Sequence, residues 1–153
     1  MKKINLTFLF SFLAIALYAQ DSYMEIVRST IKTEKKALIA EVMQLSDEES
    51  VVFWPVYNEF EENMYKLNTD YYNIVKEFAD NFENMSAEKA SEIINKANKY
   101  SLAKEKLNIK YSKKFIKVIS PQKALRFLQA SSKIEIMIDA QLATEIPLLE
   151  SIE

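Results

Sequence analysis

Apolar side chains recur at alternating three- and four-residue intervals along much of this chain. From position 53 onward, Phe53, Tyr57, Phe60, Met64, Leu67, Tyr71, Ile74 and Phe78 are spaced 4, 3, 4, 3, 4, 3 and 4. Such spacing lines one face of an α-helix. Held for more than three repeats, it predicts a long helix packed along a partner in coiled-coil fashion. The predicted element runs from Asp47 to Phe82, about 54 Å at 1.5 Å per residue.

The same pattern predicts three further helices. The first runs from about Ser22 to Gln44, with Met24, Val27, Ile31, Leu38 and Val42 on one stripe. The third follows Ser86 and reaches about Val118, with a seam of Ile93, Ala97, Tyr100, Leu107, Tyr111 and Val118. The fourth starts at Pro121 and stops at Pro147, and its stripe is Phe127, Leu128, Ile134, Ile138, Leu142 and Ile146. The fold class is therefore all-α, with about four helices. The second and third form a long antiparallel hairpin in an elongated molecule.

Three helix starts are spelled alike: LSDEE at 45–49, MSAEK at 85–89 and ISPQK at 119–123. Ser46, Ser86 and Ser120 stand where a side-chain oxygen caps free backbone N–H groups. Leu45, Met85 and Ile119 precede them as hydrophobic staples, and Glu49 completes a capping box with Ser46. Pro121 takes the first helical position, where its missing N–H costs nothing. Pro55 lies inside the second helix and leaves two readings open. Either the helix kinks near Val51–Pro55, or it breaks and a new helix begins at Pro55. Val51, Val52 and Trp54 carry an apolar surface across this point and favour the kink.

The first residues follow a different rule. Lys2 and Lys3 precede an apolar run from Leu6 to Leu17, and the small Ala19 follows. This is the build of a secretory signal peptide at 1–19, which leaves 20–153 as a single all-helical domain. An uncleaved anchor is the alternative, although the run is shorter than the roughly 20 residues of a spanning helix. No later run is long enough to span, so no stable membrane span is expected after cleavage. The expected address is outside the cytoplasm, in the periplasm.

Composition narrows the chemistry. The chain has no glycine, histidine or cysteine. Phosphate-cradling loops and strained nucleophile turns depend on glycine. Transition-metal sites lose their usual ligands. Ser29–Lys32 and Ser101–Lys104 both read S-x-x-K, but that chemistry also needs glycine-bearing partner motifs and an oxyanion hole. No enzyme activity, cofactor or metal is expected.

Charge is divided along the chain. Residues 47–84 hold ten acids and two lysines; residues 85–126 hold eleven bases and three acids. Lys89, Lys96, Lys99, Lys106, Lys110, Lys113 and Lys117 form a stripe about 42 Å long on the third helix. In one reading the stripe meets acids of the second helix, such as Glu59, Glu62, Asp70, Glu77 and Glu83, within the hairpin. In another it is an open face that attracts acidic or unfolded proteins. Nucleic acid is the third reading, and an exported, net acidic chain argues against it. Trp54, Tyr65 and Tyr72 lie off the seam and are candidates for packing on other helices or for a partner-binding patch. With the lysines, chiefly Lys99, Lys106, Lys110, Lys113 and Lys117, they form the candidate partner-binding set.

Leu45-Ser46-Asp47-Glu48-Glu49, and more faintly Met85–Lys89 and Ile119–Lys123, resemble the L-T-x-x-Q motif of the Spy/CpxP-like family of small exported helical proteins. Serine stands for threonine here, and Glu49, Lys89 and Lys123 stand for glutamine. The run FWPVYNEFE resembles one in small exported Bacteroidota proteins. The family resemblance implies a curved helical homodimer. It also implies ATP-independent holding of unfolded clients, or modulation of an envelope-stress sensor. A binding module for one dedicated envelope partner, without chaperone activity, is the alternative.

Overall fold

The computed structural model describes residues 28–149. Among them there is no strand. Helix α1 covers 28–43, α2 Asp47–Asp80, α3 Ala87–Val118 and α4 Pro121–Glu145, with a 3-10 turn at Phe82–Asn84 between α2 and α3. The all-α class and the α2–α3 hairpin are as the apolar pattern predicts. α2 ends two residues sooner than expected, because Asn81 leaves the helical region and the chain tightens into the turn. The signal-peptide segment 1–19, and the predicted helix start with Met24 and Val27, lie outside the described residues.

The chain divides into two compact units, Met1–Val42 and Met43–Glu153. In the first, Ile39 is fully buried and Lys35 nearly so, whereas Ile31 and Leu38 are 38% and 48% exposed. The buried line is thus turned by one residue from the predicted stripe of Ile31, Leu38 and Val42. Apolar residues occupy adjacent lines here, at Leu38-Ile39 and Val42-Met43, so periodicity alone does not choose between them. Gln44 follows α1 at φ 42°, a left-handed position that glycine takes most easily. With no glycine in the chain, a polar residue fills it.

The second unit is built on α2 and α3. Asn63 Nδ2 donates to Tyr111 Oη at 3.0 Å, Tyr71 stacks on Tyr100 at 4.8 Å, and Lys96 meets Glu77. Each step along α2 is matched by a step back along α3, which is antiparallel register. All eight seam residues from Phe53 to Phe78 are buried or half-buried. α2 runs unbroken through Pro55, so the second reading, a fresh helix starting there, does not hold. Pro55 is exposed, which leaves water free to satisfy the carbonyl that loses its amide partner.

The three serines cap their helices. Ser46, Ser86 and Ser120 accept from the backbone N–H of Glu49, Lys89 and Lys123 respectively. Glu49 Oε2 accepts in return from Ser46 N at 2.9 Å, closing the capping box. The staple is less regular. Ile119 is buried together with Ala124, the fourth residue of α4, but the equivalent of Ala124 after Leu45 is the polar Ser50.

The core sits where the start of α2, the end of α3 and the start of α4 converge. Phe53, Tyr57, Phe60, Tyr111, Phe115 and Phe127 are each at most 3% exposed. Phe115 was absent from the predicted seam, yet its ring centroid lies 4.3 Å from Phe127 and 5.4 Å from Phe53. Burial declines along α4, where Ala124, Phe127 and Ser131 are buried but Leu142, placed on the predicted stripe, is 43% exposed.

Among the described residues, the Tyr57 hydroxyl is buried in the core without a hydrogen bond. Burial and the neighbouring Glu61 push its pKa up, so it stays protonated. An unsatisfied hydroxyl costs about 1–3 kcal/mol. Tyr57→Phe should therefore raise stability by roughly 1 kcal/mol, read as a higher urea midpoint at unchanged slope. A lower midpoint would show that the hydroxyl is satisfied after all.

Candidate functional site

The predicted lysine stripe divides into two parts. Lys89 and Lys96 turn into the hairpin and both bind Glu77, at 2.9 and 2.6 Å, and both also reach Glu92. The other hairpin pair uses a lysine outside the stripe, since Lys114 meets Glu59 at 2.7 Å. Lys104, also outside it, lies 3.5 Å from Glu135 of α4. Lys99, Lys106, Lys113 and Lys117 are exposed and make no ion pair within 4 Å among the described residues. Pairing of the whole stripe with α2 is therefore corrected: it holds at Lys89 and Lys96 alone.

Helical geometry accounts for the division. The residues of α3 that meet α2 include Tyr100, Tyr111 and Lys114. Lys99, Lys106 and Lys113 lie well around the helix from that line. Their neighbours on the open face are apolar: Leu102, Ile109 and Ile116 are 57%, 47% and 50% exposed. Lys99, Leu102, Lys106, Ile109, Lys113 and Ile116 follow one another at spacings of 3, 4, 3, 4 and 3. They form a second heptad line on α3, pointing away from the hairpin. Lys110 and Lys117 flank it, and the Lys110 ammonium sits 5.2 Å from the Tyr111 ring centroid. The face spans about 27 Å from Lys99 to Lys117.

The sequence carries a signal for this apolar line, since Leu102, Ile109 and Ile116 repeat every seven residues, but the larger seam beside them masks it.

The predicted aromatic candidates lie elsewhere. Trp54 is half-buried and stands edge-on to Phe53 at 5.1 Å and to Tyr57 at 5.3 Å, at the margin of the aromatic core. Tyr65 and Tyr72 are half-buried on α2. These three stand on α2 and the open lysines on α3, where their neighbours along the helix are aliphatic. A groove of about 400 Å³ opens on the hairpin flank over Leu67, Ile74, Tyr100 and Ala103, with Asp70 and Lys99 at its rim.

Glu49, Lys89 and Lys123 have structural work at the helix starts. Lys123 at the start of α4 pairs with Glu49 at the start of α2, and Lys89 at the start of α3 pairs with Glu77. Two of the three helix starts are thereby tied to each other. The same pairs set the acid response. The Lys96 and Lys89 ammonium groups hold Glu77 below its ordinary pKa, Lys114 does so for Glu59, and Lys89 and Lys96 lower Glu92 to about 2. A carboxylate lowered only in the folded state stabilises fully above its unfolded value. That contribution is lost as pH falls from about 4.5 toward 2. The melting temperature should therefore drop through this window, and Glu77→Gln should flatten the drop. An unchanged profile in that variant would remove Glu77 from the acid response.

Among the described residues, no group of three or more acidic side chains is placed to hold a metal ion, and no helix is long and apolar enough to cross a membrane. No protein-family model, curated protein or solved structure matches the chain.

Proposed function

We propose that this protein is an exported, ATP-independent chaperone-like or envelope-stress adaptor protein that binds other proteins on the open face of α3. The observation that carries the proposal is that face itself: Lys99, Lys106, Lys113 and Lys117, which make no ion pair within 4 Å among the described residues, set beside three half-exposed aliphatic residues of α3. Unpaired lysines speed encounter with acidic segments, and the aliphatic line supplies contact area once they arrive. The resemblance of the LSDEE start to the Spy/CpxP-like motif supports the same reading. So does the signal-peptide pattern of residues 1–19, which points to the periplasm. In this proposal the protein is a homodimer, which sedimentation equilibrium reads directly.

Light scattering of two unrelated denatured clients, with and without stoichiometric protein and without ATP, tests the activity. Both clients should aggregate more slowly at low salt. Protection should fade as ionic strength approaches about 0.15 M, where screening shortens to about 8 Å. Protection of neither client would leave the module for one dedicated envelope partner.

A further inference from the structure

We infer that the open face of α3 docks an acidic amphipathic helix, a partner segment with an apolar residue at every seventh position and glutamates or aspartates between. This rests on the protein-binding function proposed above and names the kind of segment bound. The line Lys99, Leu102, Lys106, Ile109, Lys113, Ile116 has the heptad form of a coiled-coil seam, yet nothing in the second unit covers it.

The spacing selects a helix over an extended chain. Successive aliphatic residues on α3 are about 10.5 Å apart along the axis. An extended segment covers that distance in about three residues, and its side chains alternate between faces. It would turn its apolar residue away at every second site. A helix laid along α3 repeats its apolar residue at the same interval and keeps every contact.

Charge selects the sign. Lys99, Lys106, Lys110, Lys113 and Lys117 lie on or beside the line, and Glu105 is the one acid at its margin. A partner helix with carboxylates between its apolar residues completes the ion pairs that the hairpin leaves unmade. A second copy of the same face would set lysine against lysine. An anionic bilayer would find a single row of three aliphatic residues, each about half covered by its neighbours, in place of the broad apolar face that inserts at an interface.

Synthetic fluorescein-labelled peptides of about three heptads test the inference against the full chain. One carries leucine at every seventh position with glutamates between. A second has the same composition with the leucines moved off register. A third replaces the glutamates by lysines. By fluorescence anisotropy, the acidic heptad peptide should bind at least about tenfold more tightly than either control, and should gain helical circular dichroism on binding. Its binding should weaken with salt. It should be lost in K99E/K106E/K113E and in L102A/I109A, with the protein's own helix content unchanged.

Equal binding of the off-register acidic peptide would reduce the face to a charge patch and overturn the inference. So would capture of phosphatidylglycerol vesicles by the same lysines with no peptide bound, or a dimer that the lysine variant dissolves. If denatured clients are protected but the peptides are not distinguished, the helix-specific site falls and the general holding function stands. If neither is seen, both fall.

Discussion

Phe127→Ala should remove about 3–5 kcal/mol of stability, the largest effect of any single change considered for this protein. The Phe127 side chain is fully buried, and its ring lies within reach of four others: Phe115 at 4.3 Å, Phe53 at 5.4 Å, Tyr57 at 6.0 Å and Phe60 at 6.2 Å. These rings come from α2 and α3, so the one residue from α4 closes a cluster shared by three helices. Typical domains are stable by only about 5–15 kcal/mol, and a loss of this size leaves a marginal fold. Urea unfolding followed by circular dichroism is the measurement. A Phe82→Ala control, in the turn at the far end of the hairpin where the ring is half-buried against Phe78 at 5.5 Å, should cost clearly less. Equal losses at the two positions would mean that the cluster is not the centre of the core.

The second large effect is expected in function, with stability untouched. K99E/K106E/K113E reverses three charges on the open face, a change of six units. These lysines make no ion pair among the described residues, so the melting temperature should hold within a degree or two, in line with surface changes of about 0.5 kcal/mol or less. Client protection at low salt should disappear. A lysine stripe paired along the whole hairpin would give the reverse pattern, with stability falling together with the lost pairs. The comparison with Lys114→Glu is informative, because that residue does bind Glu59 and its reversal should lower the melting temperature.

Much of this architecture is written in the apolar spacing. The seam from Phe53 to Phe78 has one phase only, so its eight residues could be placed on the hairpin interior from the sequence. The serine caps were equally readable, since a helix start is a local event set by a few residues. Three features were not legible, each for a physical reason. α1 carries apolar residues on adjacent lines, and which line is buried depends on what covers it. Phe115 sits between the α2-facing and α4-facing sides of α3, so a seam drawn for two helices passes it by. The fate of each lysine depends on rotation about α3. Lys89 and Lys96 differ from Lys99 and Lys106 by roughly 60–100° about the helix axis, which is enough to decide between an ion pair and open water. Of the two readings open for the off-seam aromatics, Trp54 follows the packing one: it lies off the seam of two helices but against the rings of a three-helix core.

The most direct test of the α3 face as the binding surface is site-specific photocrosslinking in the native envelope. A benzophenone side chain placed at Ile109 should capture protein partners and release them when K99E/K106E/K113E is introduced. The same probe at Glu62, on the exposed side of α2, should capture little. Crosslinks that form equally from Glu62, or that persist from Ile109 after the three lysines are reversed, would contradict the account.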